Sequence, residues 1–376
     1  MLRIPLAQPD ITNADREAVL AVLRTPNLAM GPQVRAFEQA VAAFARVRDA
    51  IAANSGTSAL HLVVRSLGIG EGDEVITTPF SFVASSNCLL FERARPVFVD
   101  IDPKTLCLDP DRVEGAITKA TRAILAVDVF GHPADWDALT EIARRHKLLL
   151  IEDSAESLGS TLDGRRCGSF GDAGVFAFYP NKQITTGEGG IVLTNDEKTA
   201  KLCWSLVSQG RDESGDWLQH PRLGYNYRMD EMSAALGLAQ LRRIEEILAA
   251  RARVAAWYAE ALASVKAVDV PYVAPGVTMS WFVYVVRLTE GFTREDRDRV
   301  LRGLEVRGIG CRNYFQPIHL QPFYRDLLGT KEGDFPVTES VAARTIALPF
   351  FNRMTENEVQ TVVEALRDLV TSVGKV

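Results

Sequence analysis

A single lysine, Lys182, stands between two apolar runs in residues 175–195, VFAFYPNKQITTGEGGIVLTN. Pro180, Asn181, Gly187, Gly189 and Gly190 break the segment into turns, so the runs read as buried strands and the lysine as part of their connection. Lysine is rarely buried without a partner, and desolvation lowers its pKa. A neutral amine is the nucleophile that adds to an aldehyde, which is the chemistry this placement suggests. A lysine on a strand-to-strand loop is ordinarily only an exposed charge, so its surroundings must decide.

Those surroundings alternate between β-rich apolar runs and helical patterns. DEVITT at 73–78, PVFVD at 96–100, RAILAVDVF at 122–130 and LLLIED at 148–153 read as strands, and residues 57–67 and 135–146 as helices. Near-continuous apolar strands separated by helices predict an α/β domain: a mainly parallel sheet with helices on both faces and its ligand site at the carboxyl ends of the strands. Two earlier helices are expected, one opening at Thr12 with Asp15 as a capping-box partner and one over residues 33–45. Residues 229–263 read as one long linking helix, rich in strong helix formers. Beyond it come a strand-like SWFVYVVRL, a helix at 294–307, a Pro-rich loop QPIHLQPFY and a final helix from Glu356. The expected division is a large domain at 1–245 and a small C-terminal α+β domain at 246–376.

The 376 residues carry 42 Lys and Arg against 48 Asp and Glu, a formal charge of −6 that leaves no footprint for nucleic acid or an anionic membrane. No run approaches the roughly 20 apolar residues of a membrane span, and the first residues lack the apolar core of a signal peptide, so a cytoplasmic protein is expected. The five cysteines and five histidines are scattered without a CxxC or HExxH spacing, which predicts neither disulfides nor a metal site.

Three further features fall at predicted strand ends. In NSGTSALHLVV at 54–64 a small-residue turn runs into a helix, whose free N–H groups, with the Thr57 and Ser58 hydroxyls, suit a phosphate. In LLLIEDSAESLGS a very apolar strand ends in Glu152, Asp153 and Glu156. In TPFSFVASSN, Phe82 is placed to lie flat on a planar ring. Taken singly these are a helix cap, a surface acid and a core aromatic. Together with Lys182 they fit pyridoxal phosphate, with Asp153 opposite the ring nitrogen, where a carboxylate keeps that nitrogen protonated.

From IPLAQPDI through GTSAL, EDSAESLG, NKQITTGEGG, GYNYRM and PIHLQPFY, nearly the whole chain resembles the DegT/StrS-type aminotransferases. These are fold-type I pyridoxal-phosphate enzymes that usually aminate nucleotide-linked keto-sugars. NKQITTGEGG is the most specific part, since its lysine is that family's Schiff-base residue. The resemblance implies that Lys182 bonds the cofactor, Asp153 pairs with its ring nitrogen, Phe82 stacks on it, and Thr57 and Ser58 hold its phosphate. It places Glu156 beside the cofactor, and makes Asn226 reach the cofactor of a neighbouring subunit in a homodimer. Tyr314 and His319 would lie on the sugar-nucleotide side of the cleft. An amino acid, L-glutamate, would be the donor and a keto-sugar nucleotide the acceptor, in biosynthesis of an amino sugar for surface polysaccharide or a secondary metabolite. A free cyclitol ketone with glutamine as donor, and a non-catalytic binding or regulatory protein of the same fold, remain open beside that reading.

The chain departs from its relatives at three points. Ala177 stands where many members of that family have a serine that contacts the phosphate, Asp128 where many have histidine, and Glu156 where many have glutamine or histidine. Extra carboxylates beside the cofactor would disfavour an anionic ligand and alter substrate choice.

Overall fold

A computed structural model describes residues 3–212 and 219–373. Its main sheet has seven strands: β1 (Asp49–Ala53), β2 (Glu74–Thr77), β3 (Arg95–Phe98), β4 (Thr121–Val127), β5 (Leu149–Asp153), β6 (Ala173–Ala177) and β7 (Gly190–Thr194). They lie in the order β1-β7-β6-β5-β4-β2-β3. The run from β6 to β3 is parallel, and only β7 is antiparallel to its neighbours. The Lys182 segment accounts for the exception. It joins β6 to β7 without a crossover helix, and a direct connection of that kind can only make an antiparallel pair.

Both faces of the sheet are covered. One packs Leu62, Val75, Ile124 and Trp136 in a single core, and the other packs Phe37, Phe176, Ile191 and Leu241 in a second. Phe178 and Ile184 belong to the second core, so the ends of the lysine connection are anchored by buried apolar groups on either side of Lys182.

The N-terminal helices pack on the same region. Asn13–Leu23 starts at the Thr12–Asp15 capping box. Pro32–Ala45 is held by a more distant group: the Glu231 carboxylate accepts from the N–H groups of Gly31, Gln33 and Val34 at 3.0, 2.7 and 3.1 Å, neutralising free donors at the helix start.

The expected long helix over 229–263 is two helices, Glu231–Leu241 and Ile244–Leu262. Arg243 leaves helical geometry at the joint (φ −105, ψ 13), and its guanidinium bonds the carbonyl and carboxylate of Asp10, both at 3.3 Å. A tertiary tie thus overrides a run of good helix formers. Ile244–Leu262 begins in the core behind β6 and β7, through Ile244 and Ile247, and ends in a separate core, through Val254, Tyr258 and Leu262.

That separate core is built on an antiparallel sheet of Val268–Asp269, Tyr284–Leu288 and Thr345–Leu348, backed by the helices Arg294–Val306 and Glu356–Val373. Ile4 also belongs to it, bridging Ile309, so the start of the chain crosses out of the unit expected for residues 1–245. The Pro-rich stretch is not wholly a loop: Pro322 opens a short helix, Pro322–Leu328, where a proline at the first position loses no hydrogen bond. No described helix is long and apolar enough to cross a membrane.

Candidate active site

The Lys182 connection is a closed turn. Lys182 N–H donates to the Tyr179 carbonyl at 2.9 Å, Thr186 N–H to Phe178 at 3.1 Å, and Phe178 N–H to Gly189 at 2.9 Å. Gly187 takes the left-handed conformation (φ 86) that closes it. Gln183 pins the turn from beside the lysine, its amide donating to the Glu156 carbonyl and the Ser280 hydroxyl, both at 2.7 Å. The Lys182 side chain is 12% exposed, and its Nζ lies 3.5 Å from Glu156 Oε1 and 3.8 Å from the centre of the Phe282 ring. Burial pulls the amine below the ordinary lysine range, and the Glu156 and Asp153 charges oppose that shift.

Both acids come from the end of β5. Asp153 accepts from Ser85 Oγ at 2.7 Å and Ala155 N–H at 3.2 Å, and burial raises its pKa against those bonds. Glu156 accepts from Phe130 N–H at 2.9 Å through the oxygen that does not face the lysine. Burial raises its pKa too, against the pull of Lys182. One cation and two carboxyls therefore share a desolvated space, and their protons are held in common.

Beside this group, the helix Gly56–Ser66 begins where expected, with a cap that sequence reasoning did not assign. Ser55 Oγ accepts from Ser58 N–H at 3.1 Å and donates to Ser58 Oγ at 2.9 Å. The first-turn N–H groups of Gly56 and Thr57 have no acceptor within the helix, and the Ser58 hydroxyl keeps its own hydrogen to give. Ala177 abuts this turn: a Cβ on Gly56 would come within 2.7 Å of the Ala177 Cβ, so the missing serine hydroxyl is missing at the helix start itself. Phe82 is 62% exposed, a large ring left bare at the end of β2.

Of the two residues expected on the sugar side, the structure brings only Tyr314 to the lysine. Its ring stacks near Phe130 at 6.5 Å; burial, reinforced by the Glu156 charge, raises its pKa, and a contact with Asn181 opposes that. His319 does not face a cleft. Its side chain is fully buried, paired with Glu339 at 2.9 Å and packed against Phe335, because the Pro-rich segment folds into its own small core. Asn226 is exposed on an extended segment bridged to Ser208. Its neighbours Tyr225 and Tyr227 stack on each other and bond inward to Glu92 (2.8 Å) and His61 (3.1 Å), which leaves Asn226 on the opposite, outward side.

Asp128 is not an extra charge facing the site. It is fully buried, and its oxygens accept from Ala134 N–H, Trp136 Nε1–H and the Ser154 and Ser157 hydroxyls at 2.7–2.9 Å. It lies with Glu152 and Cys167 in a cluster whose ligand-type atoms all fall within 4.8 Å, which the scattered sequence positions concealed. Glu152 accepts from the N–H groups of Gly168 and Phe170 as well as contacting Ser154. Protein donors thus fill this set, and its chemistry is that of a hydrogen-bonded knot.

Sequence reasoning missed Ser85, Phe282 and Arg251. Ser85 is one residue into the helix Ala84–Phe91, and Phe282 precedes the strand Tyr284–Leu288. Neither has a local signal, since each is defined by a partner far away in the chain.

The donor set passes the test that pyridoxal phosphate imposes. A mostly buried amine stands 3.5 Å from a buried carboxylate, the first turn of Gly56–Ser66 keeps two N–H groups without an acceptor in the helix, and the Phe82 ring is exposed. A mostly parallel sheet that gathers these at its strand ends defines a fold-type I pyridoxal-phosphate enzyme. The chain belongs to the DegT/DnrJ/EryC1/StrS aminotransferase family, which it matches over residues 9–367. It is 41% identical to the GDP-perosamine synthase of Caulobacter vibrioides, with 97% of each chain covered. It is 36% identical to the spore coat polysaccharide biosynthesis protein SpsC of Bacillus subtilis, over 98% of this chain and 97% of that one. Among solved structures it is similar to the putative sugar aminotransferase Spr1654 from Streptococcus pneumoniae in its PMP-form, at a TM-score of 0.95 and 28% identity, over 99% of this chain and 100% of that one. The chain is a pyridoxal-phosphate-dependent transaminase of amino-sugar biosynthesis.

Proposed function

We propose that the protein transfers the amino group of L-glutamate to the keto group of a nucleotide-linked sugar, producing an amino sugar for a surface polysaccharide or a secondary metabolite. The observation that carries this reading is the Lys182 amine, 12% exposed and 3.5 Å from Glu156, at the strand ends of a family member similar along its full length to a GDP-perosamine synthase. When bound, pyridoxal phosphate supplies an electron sink for the carbon that loses its proton.

The protein's own residues do the rest. Lys182 would hold the cofactor and, as the amine nearest Glu156, would take up and give back the proton that the exchange moves. Burial lowers the amine's pKa, the direction that favours its neutral form, and Glu156, 3.5 Å away, is placed to receive or return its proton. Asp153, fixed by Ser85, would be the carboxyl that faces the ring nitrogen. Thr57, Ser58 and the first turn of Gly56–Ser66 bind the phosphate, and Phe82 covers the ring. Tyr314 lines the side from which the sugar arrives. Asn226 of the partner subunit completes the phosphate site in a homodimer, since this chain's own Asn226 points outward.

The test is a pair of half-reactions. Protein converted to its amino form with L-glutamate is offered keto-sugar nucleotides, and aminated product is followed by mass spectrometry. A product with a keto-sugar nucleotide is expected. Amination of a free cyclitol ketone alone, or loading by glutamine but not glutamate, overturns the assignment of acceptor or donor respectively.

A further inference from the structure

We propose that Arg251 is the positioning residue of the lysine, clamping the Lys182 turn to the Trp281–Phe282 segment so that the amine stays on the Phe282 ring and within reach of Glu156. The proposal rests on Lys182 being the reacting amine and adds what holds it there.

Arg251 sits midway along Ile244–Leu262, at the point where the helix passes from the core behind the lysine turn to the core of the C-terminal sheet. It is 3% exposed. A leucine or methionine would fill such a position without desolvating a charge, so the cost of burying arginine must be met by what it binds. Its guanidinium donates to four acceptors on three separate segments: the Trp281 carbonyl at 2.7 Å, the Phe282 carbonyl at 2.8 Å, Asn352 Oδ1 at 2.6 Å and the Asn181 carbonyl at 3.4 Å. Asn181 immediately precedes Lys182, and the Phe282 ring is the one 3.8 Å from Nζ. One rigid fork therefore fixes both the residue that carries the amine and the ring that covers it.

The clamp is also a cation that no carboxylate neutralises. Among the described residues none lies within ion-pair distance of Arg251, and nearby Asp10 is already engaged by Arg243 at 3.3 Å and Arg353 at 2.6 Å. Burial draws Arg251 down to about 10. Its positive charge weighs against a second cation at Lys182, acting with burial and against Glu156 and Asp153, the acids from the β5 end; Tyr314, which feels the Glu156 charge, and Asp10, which acts on Arg251 itself, are further titratable groups around this space. Loss of the clamp acts in one direction. A released turn lets water reach the amine, burial no longer depresses its pKa, and the opposing cation is gone.

The experiment uses full-length protein freed of cofactor. Lys182 is labelled by reductive methylation with formaldehyde across a pH series and read on its own peptide by mass spectrometry, in wild type, Arg251→Met and Arg251→Lys. The midpoint of labelling is expected to move to higher pH in Arg251→Met. In Arg251→Lys, which keeps the charge but cannot span four acceptors, it should move part of the way. After reloading with cofactor, kcat should fall at least about tenfold in Arg251→Met with KM for the amino donor changed much less, the split expected when a reacting group is misplaced. A folded Arg251→Met whose midpoint and kcat match wild type overturns the proposal. Should that variant fail to fold, Arg251→Lys decides: a shifted midpoint supports the clamp and an unshifted one overturns it. Failure of the functional reading would appear elsewhere, as turnover surviving in Lys182→Ala, and would leave the labelling result intact.

Discussion

Two groups of buried carboxyls lie at neighbouring strand ends, and they are used in opposite ways. Asp153 and Glu156 share their space with a lysine, and protein donors occupy only part of their capacity: two bonds to Asp153 and one to Glu156 besides the lysine contact. Besides the Ser154 contact they share, Asp128 and Glu152 receive two and two protein donors from backbone or indole N–H groups and hydroxyls, three to Asp128 and two to Glu152. Ser154 has one hydroxyl hydrogen, yet its oxygen is 2.9 Å from Asp128 and 2.7 Å from Glu152. One of those contacts needs a proton from the acid. Burial, with the Asp128 charge added, raises the Glu152 pKa well above the ordinary range, the direction that favours a proton on that acid. The pair closed by protein donors is structure, and the pair that faces the lysine is the site.

The most severe way to break the comparison is Lys182→Ala, which removes the one cation within ion-pair distance of Glu156 among the described residues. Turnover should fall at least roughly 1000-fold, and the visible absorbance of the cofactor-bound protein should disappear. Retention of a large part of wild-type turnover would mean that another amine does the work.

Next in size is Asp128→Ala, which leaves the Trp136 Nε1–H and the Ala134 N–H buried without an acceptor. Two orphaned donors should cost about 3–5 kcal/mol in chemical denaturation. Asp128→Asn should cost much less, about 1 kcal/mol or under. Its amide oxygen can keep the Ala134 and Trp136 bonds, and its NH2 can face two serine hydroxyls that turn to accept. Turnover per folded molecule should hold within roughly twofold in the asparagine variant. A large loss there would return Asp128 to the reaction and undo the distinction between the two groups.

A smaller effect is expected from Glu156→Gln, which leaves shape and the Phe130 N–H bond in place but takes away a charge. Glu156 raises the proton affinity of Lys182, so its removal must lower it. In cofactor-free protein the pH midpoint for Lys182 labelling should therefore move downward, opposite to the shift expected for Arg251→Met. Upward movement or no movement would show that the 3.5 Å contact is not an electrostatic coupling.

The difference between the two groups also marks the limit of what sequence could tell. The Lys182 turn, the Thr12 capping box and the sheet were legible because their signals are local: turn residues, cap spacing and apolar runs. Asp128 was read as a charge beside the cofactor because many members of the resembled family carry histidine there, while the Trp136 and Ser157 donors that consume it were not visible. His319 failed for the same reason, its partner Glu339 lying on a different helix. Arg251 looked like one more charge on a helix, and only the crossing of that helix between two cores shows why it is inside. Position along a strand can be read from sequence; hydrogen-bond occupancy requires the fold.

The smallest change, Ser157→Ala, is the most sensitive probe of that occupancy. It deletes one of the four protein donors to Asp128, the 2.7 Å bond to Oδ2, while Ser154 still reaches the same oxygen. Because that oxygen keeps a partner, the cost should be that of a single replaceable bond, about 1 kcal/mol, with no change in turnover or in the labelling midpoint of Lys182. A cost several times larger would show that Asp128 depends on each of its donors and that the knot has no reserve. A change in the lysine midpoint would show that the two carboxyl groups, separate in their hydrogen bonds, are joined through their charges, since burial raises the Asp153 pKa and the Asp128 charge acts in the same direction.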